Sequence, residues 1–103
     1  MNKLTPNWHE ALVLMISSSR KQAGLTQVAL AKRLKWRVSM ISKIECRKRR
    51  VDVPELIEIA LALGIPPDDF LQRIVQWARC VFAWRHGGTP IKEVIAASNR
   101  GVE

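Results

Sequence analysis

Cysteine is scarce in this sequence. Cys46 and Cys80 lie far apart, with neither a C-x-x-C pair nor a Cys/His cluster at zinc spacing. Neither a disulfide framework nor a metal site is therefore expected, and both are read as ordinary thiols. Long apolar runs are missing too: none approaches the roughly 18 residues of a membrane span. The opening MNKLTPNWHE lacks the apolar core of a secretory signal. Convincing strand alternation and internal repeats are absent. So are a nucleophile–base pair, paired carboxylates beside an obvious cleft, and a phosphate-cradling glycine loop; no catalytic residue, no enzyme and no cofactor is expected. What remains is one soluble, cytoplasmic, all-α domain whose 103 residues allow burial of about two-thirds of the unfolded surface.

The most informative scarcity is of acid. Residues 20–50 carry 11 lysines and arginines against one carboxylate, Glu45, a net charge of +10 in a chain whose total is +8. Residues 1–19 are neutral in sum and residues 51–103 carry −2. A positive patch confined to one block is the electrostatic footprint of a polyanion partner. A disordered basic run would show the same charge, but apolar residues interleave here at helical spacing.

Thr5-Pro6 reads as N-cap and first residue of helix one, with the stripe Trp8, Leu12, Met15, Ile16 and Ala23, and Gly24 as its stop. Thr26 caps a short helix two over 27–34, buried through Val28, Leu30, Ala31 and Leu34. After Lys35-Trp36-Arg37, helix three runs over 38–46 with Ile41 and Ile44 inward. Asp52 and Glu55 have capping-box spacing before helix four, 53–63, which turns Leu56, Ile59, Ala60 and Leu63 inward and stops at Gly64. Asp68 is expected to cap helix five, Asp69 to about Arg85, and Thr89-Pro90 could open a last short helix.

Two short helices joined by a tight turn, the second basic and exposed, describe a helix-turn-helix. A helix about 10–12 Å across fits the major groove. Its inner side, here Ile41 and Ile44, anchors to the scaffold; its outer side offers hydrogen bonds and charge. Val38 and Ser39 at its start, then Ser42 and Lys43 one turn on, suit that outer side.

The run GLTQVALAKRLKWRVSMISKIECRKRR and the helix LIEIALALGI resemble the lambda-repressor/Cro-like helix-turn-helix regulators, the XRE family, over roughly residues 12–71. Arg20, Gly24-Leu25-Thr26-Gln27, Leu30-Ala31, Ile41-Ser42-Lys43-Ile44-Glu45 and Ala60-Leu61-Ala62-Leu63-Gly64 carry the likeness. The resemblance implies a five-helix lambda-repressor-like fold and dimeric binding to double-stranded DNA, with helix three as the reader. It places base contacts on Val38, Ser39 and Lys43, phosphate contacts on Gln27, Arg37 and Met40, and a buried ion pair on Arg20 and Glu45. Lys35 stands where a turn glycine is usual, Trp36 in a small apolar site, Arg37 in place of a Ser/Thr cap, and Arg47 in place of a frequent glycine.

Arg47, Lys48, Arg49 and Arg50 are read as further phosphate contacts, with solvated surface charge as the bland alternative. Of the four tryptophans, Trp77 and Trp84 lie on an apolar helix seam and Trp8 on helix one, which favours core or interface over base stacking. His9 and His86 have no partner at ligand spacing. In helix five, Phe70, Ile74, Trp77, Val81 and Trp84 repeat at 4, 3, 4, 3 beside a second row of Leu71, Val75, Ala78 and Phe82. That stripe is wider than a small core needs, and the seam is the candidate dimer interface.

The expected organisation is a DNA-binding core over 1–67, C-terminal helices for dimerisation over 68–97, and a flexible tail over 98–103. The expected function is a sequence-specific transcriptional regulator of a bacterium or phage, nucleoid-associated when bound. It would be a repressor acting as a homodimer on a pseudo-palindromic operator, without a small-molecule effector. One alternative is the antitoxin of a toxin–antitoxin pair, with helix five and residues 89–97 holding the toxin. Another is a nonspecific nucleic-acid binder.

Overall fold

A computed structural model describes residues 7–85, and within them the chain is all helical. The five helices are α1 (Trp8–Gln22), α2 (Gln27–Leu34), α3 (Val38–Glu45), α4 (Val53–Ala62) and α5 (Pro67–Arg85). The expected short helix at 89–97, the tail at 98–103, and Thr5 and Pro6 fall outside the described residues.

Each helix end has a local cause. Asn7 caps α1, its side-chain oxygen accepting from the Glu10 amide at 3.0 Å. The start expected at Thr5-Pro6 is thus replaced by one at Asn7, an equally good cap with an acid three residues on. At the other end Gly24, at φ +73°, turns the chain, and the Leu25 amide reaches back to the Arg20 carbonyl at 3.1 Å. Thr26 caps α2 through its hydroxyl, 3.0 Å from the Ala29 amide. Asp52 and Glu55 form the expected capping box of α4, each side chain accepting from the other residue's amide. Helix α5 begins earlier than Asp68 would set it. Pro67 opens it, the Phe70 amide donates to the Pro66 carbonyl at 2.9 Å, and Asp68 and Asp69 lie in the first turn, where the helix dipole favours acid.

The core is one cluster drawn from every helix: Ala11 and Ile16 of α1, Leu30 and Ala31 of α2, Ile41 and Ile44 of α3, Ile59 and Ala60 of α4, and Phe70, Ile74 and Ala78 of α5. The stripe expected on α1 is shifted. Its buried positions are Ala11, Val13, Ile16, Ser19 and Arg20, while Trp8 and Ala23 are exposed. Both α3 and α5 pack on α1, so the covered face wraps further round the helix than one apolar row.

Helix α5 departs most from expectation. Phe70 and Ile74 are 0% and 4% exposed within the single chain. They close the core against α1 and α4 and leave almost no surface for a second subunit. Trp77 packs partly buried on the same core, Val81 is half-buried, and the Trp84 side chain lies outside what is described. No break in packing falls at residue 67, because α5 supplies part of the core that α1 to α4 share. No helix among the described residues is long and apolar enough to cross a membrane.

Candidate nucleic-acid interface

Helix α3 is held from behind and open in front. Ile41 and Ile44 are buried, as their spacing requires. Val38, Ser39 and Lys43 are exposed, with Val38 at 43%, while Met40 and Ser42 are partly covered. Helix α2 crosses behind α3, and the turn between them is Lys35-Trp36-Arg37, with the Trp36 amide bonded to the Ala31 carbonyl at 2.9 Å. Lys35 takes the left-handed conformation, φ +59°, and Trp36 packs partly buried against the core. Arg37 occupies the N-cap of α3 with no side-chain capping bond, so its guanidinium is left to solvent. Helix α3 ends at Glu45, one residue sooner than expected, with Cys46 as its C-cap.

One carboxylate fixes where α3 points. Arg20 donates to Glu45 through Nε at 2.8 Å and through its second guanidinium nitrogen at 3.0 Å. The two side chains are 10% and 8% exposed. The remaining guanidinium nitrogen donates to the Leu25 carbonyl at 2.8 Å. Gln27, the first residue of α2, adds its side-chain N–H to Glu45 Oε1 at 3.1 Å. Glu45 thereby joins α1, α2 and α3 at one point, and its hydrogen bonds hold Arg20 still more firmly protonated than usual. The lone acid of the basic block is structural, and the amide of Gln27 is already engaged by it.

The basic segment after α3 is not uniform. Arg49 forms a two-pronged pair with Glu55, at 3.0 and 2.6 Å, and also donates to the Arg50 carbonyl. It is tied inside the chain by these bonds. Arg47 lies 3.7 Å from Glu10, a loose surface pair. Lys48 and Arg50 are exposed and form no ion pair among the described residues. The hydrogen bond from Arg49 is the main reason that the Glu55 carboxyl is held below its ordinary value of 4.5. A lowered carboxyl stabilises the fold above the unfolded value and loses that contribution as pH falls through the folded one. The melting temperature of the protein should therefore exceed that of Glu55→Gln at neutral pH, with the gap closing as pH drops below 4.5. A gap that stays constant with pH would mean that the ionic pair contributes nothing.

Arg33 was not singled out by sequence pattern. It donates to the Ala62 carbonyl at 3.0 Å, so a cation of α2 caps the end of α4. Among the remaining cations, Lys32, Lys35, Arg37, Lys43, Lys48 and Arg50 are all exposed. The block 20–50 thus offers a largely unpaired positive surface around the outer face of α3.

The helix-turn-helix family model matches residues 16–70, the stretch from the middle of α1 to the start of α5. An XRE-family-like protein from Pseudomonas syringae pv. tomato strain DC3000 is similar at 34% identity and TM-score 0.63, over 66% of this chain and 83% of that one. The clp gene regulator ClgR from Corynebacterium glutamicum is similar at 27% identity and TM-score 0.61, over 69% and 91%. The restriction-modification controller protein C.Esp1396I shares the fold at 23% identity and TM-score 0.64, over 68% and 90%. No curated protein matches. With the family's helices, turn and buried anchor residues all in place, the chain belongs to the XRE family of helix-turn-helix proteins, which are DNA-binding regulators of transcription.

Proposed function

We propose that this protein is a homodimeric repressor that reads a pseudo-palindromic operator through α3 and blocks a promoter by occupying it. One observation carries the reading. Ser39 and Lys43 stand exposed on the face of α3 opposite its buried Ile41 and Ile44, and Val38 is exposed at the first turn of the helix. In this reading Lys43 bonds guanine edges, Ser39 a base or phosphate, and Val38 a thymine methyl. Arg37, Arg47, Lys48 and Arg50 neutralise phosphates, with Met40 and the N-terminus of α2 at Gln27 against the backbone. Arg49 leaves the phosphate set, because Glu55 holds it.

A binding selection from random duplex DNA at about 150 mM salt tests this directly. An inverted repeat with half-sites about 34–36 Å apart is the expected product. A pool without enrichment would reject the operator and turn attention to a protein partner. Lys43→Ala should weaken the selected site by about 1–3 kcal/mol while affecting random duplex much less. Equal loss on both would make Lys43 a phosphate contact.

Dimerisation falls to the part of α5 beyond the core. Val81, half-buried and outside the central cluster, is the residue to probe. Val81→Asp should yield monomers by light scattering at unchanged helix content. A persistent dimer would place the two-fold axis elsewhere.

A further inference from the structure

Four helix ends in the described chain are turned by a residue with positive φ, and the choice of residue divides them. After α1 and α4 stand Gly24, φ +73°, and Gly64, φ +76°. At the ends of α2 and α3 stand Lys35, φ +59°, and Arg47, φ +66°. The glycines carry no Cβ penalty. The two cations accept it, and they are the residues that flank α3.

Each cation is disfavoured twice in the free protein. Its Cβ crowds the following carbonyl in the left-handed region. It is also one of the like charges that bring its block to +10. Little within the chain offsets this. Lys35 forms no ion pair among the described residues, and Arg47 reaches only Glu10, at 3.7 Å. A cation does suit the C-terminus of a helix, but Lys32 and Arg33 already fill the last turn of α2, and Lys43 that of α3. The eight residues of α3 rise about 12 Å, comparable with the roughly 12 Å width of the major groove.

We infer that Lys35 is a DNA phosphate contact and works with Arg47 as a pair of grips, one at each end of α3. The strained backbone at both positions is the consequence of needing charge where the turn alone would favour glycine. This rests on the DNA-reading role proposed for α3, and it assigns Lys35 a part that the family pattern, with a turn glycine there, does not.

The test sets stability against binding. Random-sequence duplex is titrated between about 50 and 200 mM salt with the full chain and its Lys35→Gly and Arg47→Gly variants. Each variant should lose about 0.9 from the slope of log K against log salt. Each should also melt higher, by roughly 4–8 °C, because strain and repulsion are relieved. Lys35→Arg keeps both the charge and the strain, so it should retain the slope and the melting point. Arg79→Gln removes an exposed cation of α5 and serves as the control for long-range charge; its slope should not move. A Lys35→Gly slope equal to that of the parent or of Arg79→Gln overturns the assignment. So does a lower melting temperature, which would make Lys35 a structural residue. If the parent chain binds no duplex even at low salt, the DNA-reading role itself fails; parent binding with unmoved glycine variants removes the grips alone.

Discussion

Replacing Phe70 by alanine is expected to destabilise the fold by about 3–5 kcal/mol in chemical denaturation. Phe70 is the largest side chain in the fully buried set, at 0% exposed. It lies where α5 closes over α1 and α4, with Ile16, Ile59 and Ile74 in the same cluster. Truncating it removes the apolar area of a ring and leaves a cavity whose walls belong to three separate helices, so collapse to fill it is restricted. For a domain of this size that is a loss of several tens of degrees at most and about 12 °C at least. The control is Leu71→Ala one position on, where the side chain is exposed and the change should stay within about 0.5 kcal/mol. Protein concentration separates this role from that of an interface residue. A defect inside one chain is the same at every concentration, whereas a defect in a dimer contact varies with it by mass action. A concentration-dependent loss at Phe70 would return it to the interface.

The contrast between α2 and α5 shows which features of the fold are written locally. The bounds of α2 follow from the sequence because Thr26 is a strong cap and the apolar positions Leu30, Ala31 and Leu34 sit at helical spacing, although Val28, expected on the same buried side, is 52% exposed. The start of α4 follows from Asp52 and Glu55 for the same reason. The start of α5 is ambiguous locally: Pro66, Pro67, Asp68 and Asp69 offer competing signals, and the backbone bond from Phe70 to Pro66 decides among them. The heptad seam on α5 was legible as an apolar stripe, yet spacing says only that something covers it. For Phe70 and Ile74 the cover is α1 and α4 of the same chain.

The interface shows the same division. Exposure of Ser39 and Lys43 follows from burial of Ile41 and Ile44, because a helix has two sides; Val38, three residues before Ile41, lies nearer the buried side and is open at the first turn of α3. The Arg49–Glu55 pair does not follow from any period. It joins a loop to a helix six residues on, at an angle set by how α4 leaves the loop. Arg33 on the carbonyl of Ala62 spans 29 residues, and only the packing of α2 on α4 brings the two together. Two cations of the basic block, Arg33 and Arg49, thus bond within the frame.

Glu45→Ala should be among the most damaging single changes to both fold and function, at about 3–5 kcal/mol of stability. The carboxylate accepts from two guanidinium nitrogens of Arg20 and from Gln27. Without it Arg20 keeps its charge in a site where its side chain is 10% exposed, and one backbone carbonyl, that of Leu25, remains as its partner. Removing Arg20 instead leaves the carboxylate buried with only the Gln27 amide, and a loss of similar size is expected. Replacing both together by methionine should restore much of the stability, since a buried pair is strong mainly against the loss of one member. Restored stability need not restore binding. Glu45 is the last residue of α3, Gln27 the first of α2, and Arg20 lies near the end of α1. An apolar pair would fill the volume without the directional bonds that set the angle of α3. The double variant should therefore fold well and still discriminate poorly between a selected site and random duplex. If Glu45→Ala loses less than about 1 kcal/mol, the pair is dispensable to the fold. If the double variant retains full sequence preference, packing alone orients α3 and the three-way junction at Glu45 has no part in reading DNA.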